Sequence, residues 1–484
     1  MNQRLKQKTV FWGFAKYASL LATLVTTAVL SRLLTPSEFG VVSVTTAFTA
    51  FFAVLTDLGY GTAIIHHQHL DREDLNSIFS LSVYFSIFLA VAFALLGIPI
   101  SLFYENPVYR KICLFLASGV LLSSLNTVPS ALIMKEKRFW NSGLRMIVAC
   151  VVAGAIAIWM AVHGFSYYAI IFQNLLFSLI TFVWNFSTSG LRFRFRPKLA
   201  SFNKVRSFSS YQFLFSFLRY LAGNADALLI GKVMGSDALA YYDKGHKLMM
   251  YPVQNLTNYV VNPILVPVLS EHQEDRTYIY QAYQKVVSVL SYMGVLISVV
   301  FFWASRECVL LFFGGQWEAA VPVFHLLSLS VWPQLVASSA SAIYQSTGDT
   351  RRMFRSGLVY FITMIVLILA SIFSGSLMTV AVCVVLGQYV RFAVDYYVLI
   401  HHTLSASCRA FFRSFWFEAL YTAVMICVIL LVKLPISSLM LSLLVKGCIA
   451  LIVFIALGLP TGKLAQFLGM LFSRRGRQTR RTAQ

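Results

Sequence analysis

Charge is scarce in this chain and acid is scarcest. There are 18 Asp and Glu among 484 residues, and all charged residues together make up 12%. Soluble domains carry roughly 25%. With 58% hydrophobic residues and a mean hydropathy of +0.73, too little polar surface exists to wet a soluble globule, so that class is excluded. The seven cysteines (113, 150, 308, 383, 408, 427 and 448) form no C-x-x-C pair, so neither a zinc site nor a disulfide framework is expected. No G-x-x-x-x-G-K-[ST] stretch exists to cradle nucleotide phosphates. No carboxylate cluster falls inside an apolar run, and the longest polar connection runs only from about 188 to 207. These gaps speak against an enzyme and against direct use of ATP. No cofactor and no metal are expected; the "HHQHL" tract at 66–70 reads as a short loop.

Long apolar runs are what the chain does have. A helix needs about 20 such residues to cross a hydrocarbon layer of roughly 30 Å. The pattern predicts spans at 10–31, 40–65, 77–103, 112–134, 142–162, 166–187 and 208–231. Seven more are predicted at 247–269, 282–303, 320–345, 355–374, 377–400, 413–432 and 437–459. The first run follows a basic start, as in a signal peptide, but is too long for a cleaved one and reads as a retained helix. The fold class is an all-α membrane protein of about fourteen transmembrane helices.

Basic residues are unevenly placed, and this orients the chain. "RFRFRPKLASFNKVR" (192–206) and the tail from Lys463 to Arg481 each hold six basic residues and no acid. "KEKR" (135–138) and "RRMFR" (351–355) fall on the same side, which by the positive-inside rule is the cytoplasm, with both termini. The opposite loops carry little beyond Arg32, Arg110, Lys111, Lys232, Arg306 and Lys433. The net charge of +21 therefore fits anionic lipid headgroups, and no nucleic-acid partner is expected.

The chain also repeats itself. "SRLLTPSEFGVVSV" from Ser31 returns as "GKVMGSDALAYYDK" from Gly231, with Asp71 and Asp74 set against Glu271 and Glu274. "SALIMKEKRFWNSGL" (130–144) returns as "SAIYQSTGDTRRMFRSGL" (341–358), the offset drifting from 211 to 214. Six spans separate the copies, so both enter the membrane the same way up. The expected organisation is an N-lobe (1–190), a basic linker (191–207), a C-lobe (208–402), two extra helices (403–460) and a basic tail (461–484).

Ionisable residues within membrane spans cost about 2.5–3.5 kcal/mol each at the centre and tend to face a cavity. Here cations outnumber acids, which suits an anionic substrate such as a diphosphate; the candidates are Lys16, Arg145, Arg219, Lys244 and Lys247. Helix 247–269 is proline-bearing, and Gln254, Asn255 and Asn258 are candidates to hydrogen-bond sugar hydroxyls. Asp57, Asp226 and the i,i+4 pair Arg391 and Asp395 are candidates for ion coupling or for internal ion pairs.

The motifs "LSRLLTPSEFGVVSV", "DLGYGTAII" (57–65), "NADALLIGKVMGSDALAYYDKGHKL" (224–248) and "YQSTGDTRRMFRSG" (344–357) resemble those of polysaccharide-export flippases of the PST/Wzx type. These belong to the multidrug/oligosaccharidyl-lipid/polysaccharide exporter superfamily. The resemblance covers nearly the whole chain. It implies two six-helix lobes, often with an added helix pair, and translocation of undecaprenyl-diphosphate-linked oligosaccharides across the bacterial inner membrane. The implied partners are that lipid-linked substrate, membrane lipids and a polysaccharide polymerase and export complex. The alternative is a cation-coupled multidrug exporter of the related MATE class, with Asp57 or Asp226 as the coupling acid. A peptidoglycan-precursor flippase and a non-transporting scaffold are further alternatives.

Overall fold

The structure is a computed structural model describing residues 3–57, 64, 71–136, 138–195, 220, 223–257, 275–347, 349–432, 436–460 and 462, with backbone alone at 3–10, 57, 345, 346 and 350. Its described elements are all helical. Eleven helices are long and apolar enough to cross a membrane, or twelve if one bent pair is a single span. The spans expected at 208–231 and 247–269 lie largely outside the described residues. The chain is a multi-pass membrane protein.

Contacts divide it into two units, 1–240 and 241–484. In the first unit α1 (Gln3–Leu33) lies along α6 (Phe139–Val162), and α6 along α7 (Tyr168–Ser189). There α3 (Arg72–Phe103) packs on α4 (Val108–Leu125), which also meets α2 (Pro36–Asp57). A short α5 (Thr127–Lys135) continues α4 past Asn126. A helix over 223–233, α8, leads into α9 (Gly235–Leu256), within which the division falls.

In the second unit α10 (Arg276–Trp303) is followed by α11 (Ser305–Phe313). A bent run comprises α12 (Val321–Ser328), α13 (Val331–Ala337) and α14 (Ala340–Ser346), kinked by 51° around residues 329–330. Next, α15 (Thr350–Ile372) packs on α16 (Leu377–Tyr397). After α17 (Cys408–Arg413) come α18 (Trp416–Leu431) and α19 (Leu439–Gly458), which lean on α10.

Side-chain polarity is distributed as lipid requires. Phe88 and Leu95 of α3 are 64% and 61% exposed, while Ser77, Ser80 and Ser86 of the same helix are fully buried. The Ser86 hydroxyl donates to Ser124 Oγ at 2.6 Å, joining α3 to α4. Without a hydrophobic drive between helices, small residues and such bonds hold the bundle together. Helices also run past the apolar stretches. α3 is capped by Asp71, whose carboxylate accepts from the Asp74 N–H at 2.7 Å, and α10 by Asp275, which accepts from the Tyr278 N–H at 2.9 Å. Hydropathy marks only the hydrocarbon part of each helix; the caps set its true end.

Two glycines are required by close approach. A Cβ on Gly154 of α6 would lie 2.5 Å from Thr26 Oγ1 of α1. A Cβ on Gly40 of α2 would lie 2.0 Å from the Ser236 carbonyl oxygen. Gly40 lies in the first copy of the repeated motif and Ser236 in the second, so the two breaks touch within the first unit. Gly154→Leu is expected to destabilise by about 1–3 kcal/mol, as overpacking does, and to lower the midpoint of detergent-induced unfolding. An unchanged midpoint would contradict this packing.

Candidate functional site

The predicted site residues fall in both units. In the first, Lys16 of α1 is partly buried, with Nζ 3.7 Å from the centre of the Trp12 ring one turn back. The level of Lys16 on α6 is set by Gly143, where a Cβ would touch Ala15 and Phe11. Two residues on, the Arg145 guanidinium donates to Asn185 Oδ1 of α7, and Asn185 Nδ2 donates to Asn126 Oδ1 at 2.7 Å, where α4 gives way to α5. Thus the structure brings Lys16 and Arg145 to one level of the α1–α6 pair and ties Arg145 to three helices. Asp226 of α8 is buried and accepts from the Ala227 N–H at 2.8 Å. Of Asp57 only the backbone, at the end of α2, is described.

In the second unit Lys244 of α9 is 3% exposed, with Nζ 4.8 Å from the Phe313 ring and 4.9 Å from the Trp317 ring. The faces of these rings offer negative charge to the ammonium. One turn on, Lys247 Nζ is 2.7 Å from Asp243 Oδ2 at the surface. Of the sugar candidates, Gln254 is exposed, whereas Asn255 Nδ2 donates to the Tyr251 carbonyl of its own helix at 2.8 Å. Arg219 and Asn258 lie outside the described residues, as do Glu271, Glu274 and the histidines at 66–70. α9 begins at Gly235, twelve residues before the expected start of the span, so Lys244 and Lys247 are mid-helix.

Arg391 and Asp395 of α16 stand 3.4 Å apart. The Arg391 guanidinium also lies 4.7 Å over the Tyr360 ring, and the Ser356 hydroxyl donates to Asp395 Oδ1 at 2.5 Å, both from α15. Nearby, the hydroxyls of Tyr283, Tyr396 and Ser339 are linked at 2.9 and 3.0 Å, joining α10 to α16. Sequence reasoning found the charged members of these groups. It missed Asn126, Asn185, Phe313, Trp317 and Ser356, which carry no signal apart from their distant partners.

It also missed a buried ion pair. Lys446 of α19 places Nζ 2.6 Å from Glu307 Oε1 of α11, and the Ser442 hydroxyl donates to the same oxygen at 2.6 Å. Among the described residues no three His, Cys, Asp or Glu are grouped to hold a metal ion.

Comparisons with known proteins give a consistent picture. The sequence family described as "Polysaccharide biosynthesis protein" matches residues 29–322. The lipopolysaccharide biosynthesis protein WzxC of Escherichia coli (strain K12) is 23% identical over 426 residues, 85% of each chain. Among solved structures, the lipid II flippase MurJ in an inward closed conformation superposes with a TM-score of 0.74 at 12% identity, over 94% of this chain and 100% of its own. An inward-facing MATE multidrug transporter of the MOP superfamily reaches 0.62 at 14% identity, over 78% and 92%. Both share the fold.

Proposed function

The chain belongs to the polysaccharide biosynthesis protein family, and from that membership we propose that it is a flippase for lipid-linked oligosaccharides. It carries undecaprenyl-diphosphate-linked units across the bacterial inner membrane by alternating access, to feed assembly of an exopolysaccharide, capsule or O-antigen-type polymer. The observation that carries this reading is likeness of fold over the whole of a lipid II flippase. The superposition on the multidrug transporter leaves about a fifth of this chain unmatched, which favours the flippase over the drug exporter.

The finer architecture is fourteen helices in two parallel six-helix repeats, with α18 and α19 as the added pair and both termini cytoplasmic. Equivalent roles at equivalent places support it. Asp71 and Asp275 cap α3 and α10; Glu136 and Asp349, just before α6 and α15, pair with Arg138 and Arg352; at the ends of the sixth helices the Ser189 carbonyl accepts from Arg72 and the Thr403 hydroxyl donates to Asp349. In this account Lys16, Arg145, Arg219, Lys244 and Lys247 draw in the diphosphate, while Gln254, Asn255 and Asn258 meet sugars. Asp57, Asp226 and the Arg391–Asp395 pair serve coupling or internal neutralisation. A polymerase and export complex would receive the product.

Deleting the gene tests the reading. Surface polymer is expected to disappear while lipid-linked units accumulate in the inner leaflet. Loss of polymer without accumulation would place the protein earlier in synthesis and overturn it.

A further inference from the structure

We propose that the second unit holds the phosphate of an acidic phospholipid headgroup in a cavity of about 440 Å³, lined by Arg276, Thr347, Asp349, Arg351, Arg352 and Arg355. This site is separate from the transport residues and needs only the membrane reading. Arg276 opens α10, and the other three arginines lie in the first two turns of α15. Helix N-termini carry partial positive charge, so four guanidiniums are gathered where two helix dipoles already oppose them. Such an arrangement is favourable when an anion fills it.

Among the described residues, protein groups do not supply that anion. The one carboxylate lining the cavity among the described residues is Asp349, already engaged by Arg352 at 2.6 Å and by the Thr403 hydroxyl at 2.9 Å. Burial works against its charge, but these two partners outweigh it and hold its pKa below the usual carboxylate value, so it stays ionised and anchors Arg352. Arg276 Nη1 is buried and has no hydrogen-bond partner among the described residues. A guanidinium fork suits phosphate oxygens, which accept two bonds at once.

The first unit offers a comparison at the matching place. There Arg72 donates to the Ser189 carbonyl at 2.9 Å and to Glu136 at 3.2 Å, and Arg138 donates to Thr188 at 2.8 Å and pairs with Glu136 at 2.7 Å. Both guanidiniums end on protein. In the second unit the acid is one carbon shorter and two further arginines are present, so among the described residues positive charge is left over.

Depth in the membrane selects the source. Among and beyond the arginines α15 exposes Phe354, Leu358, Val359 and Ile362, an apolar face suited to lipid tails. The cavity therefore sits at the hydrocarbon boundary, where phospholipid phosphates lie, on the side assigned to the cytoplasm.

The test uses full-length protein in a non-ionic detergent, titrated with phosphatidylglycerol and phosphatidylcholine bearing the same fluorescent tail. A preference of about tenfold for phosphatidylglycerol is expected, falling to about twofold or less in R276Q/R351Q/R352Q/R355Q and retained in R409Q/R413Q. Equal loss in both variants, or none in the first, overturns the site. Should the fourfold variant fail to fold, R276Q alone is expected to lower the preference about threefold, and an unchanged preference overturns the proposal. Millimolar pyrophosphate is expected to leave the lipid bound; displacement would show that a free phosphate species is the occupant and overturn the lipid assignment.

Discussion

Lys446→Met is expected to destabilise the protein by about 3–5 kcal/mol, because it strands a buried carboxylate. Glu307 and Lys446 keep only 9% and 15% of their side-chain surface exposed, and the Lys446 ammonium also donates to the Trp303 carbonyl at 3.2 Å. One side chain thus fastens α19 to α11 and to the end of α10. With the ammonium gone, the Glu307 charge keeps the Ser442 hydroxyl but loses its buried counter-ion. The double variant Glu307→Gln/Lys446→Met removes both charges and is expected to recover most of the loss, since a buried pair adds little net stability over neutral residues. Unfolding by sodium dodecyl sulfate in mixed micelles, followed by circular dichroism, measures both. Equal midpoints for wild type and Lys446→Met would show that the pair does not hold the last helix.

That pair also illustrates what a sequence conceals. Lys446 and Glu307 are 139 residues apart, and neither sits in a motif. Lys446 lies inside a run whose hydropathy announces a span and nothing more. By contrast, the membrane-crossing helices were legible, because a bilayer demands long apolar runs and the chain has little else. Bends were not. The breaks at Asn126 and at 329–330 interrupt runs that read as single spans. An amphipathic helix was missed for the opposite reason. α9 holds Asp237, Asp243, Lys244, His246 and Lys247, so hydropathy placed its start well after Gly235. For the site, composition revealed the excess of cations but not their surroundings. Nothing near Lys244 in sequence points to Phe313 and Trp317, and nothing near Arg145 points to Asn185.

Replacing Arg219, Lys244 and Lys247 together with Gln is expected to cut polymer export by about 100-fold or more, as charge-assisted bonds to a diphosphate contribute roughly 1.5–3 kcal/mol each. Protein levels in the membrane separate this from misfolding. Lys247 is the more informative single position. Its pair with Asp243 is surface-exposed, so Lys247→Gln should change stability by less than about 1 kcal/mol while still lowering export. Lys244 is different. Its contact with the Phe313 and Trp317 rings contributes about 2 kcal/mol and offsets part of the cost of burying the ammonium, so Lys244→Gln, which loses that contact, should lower both. Full export from the triple variant would remove these cations from the mechanism.

The most direct test is leaflet transfer in liposomes containing the purified protein and no other polypeptide. A fluorescent undecaprenyl-diphosphate oligosaccharide loaded in one leaflet is predicted to reach the other at a rate proportional to protein content, and the triple Gln variant is predicted to slow it to the protein-free rate. Transfer by the wild-type protein no faster than in empty liposomes would contradict the account.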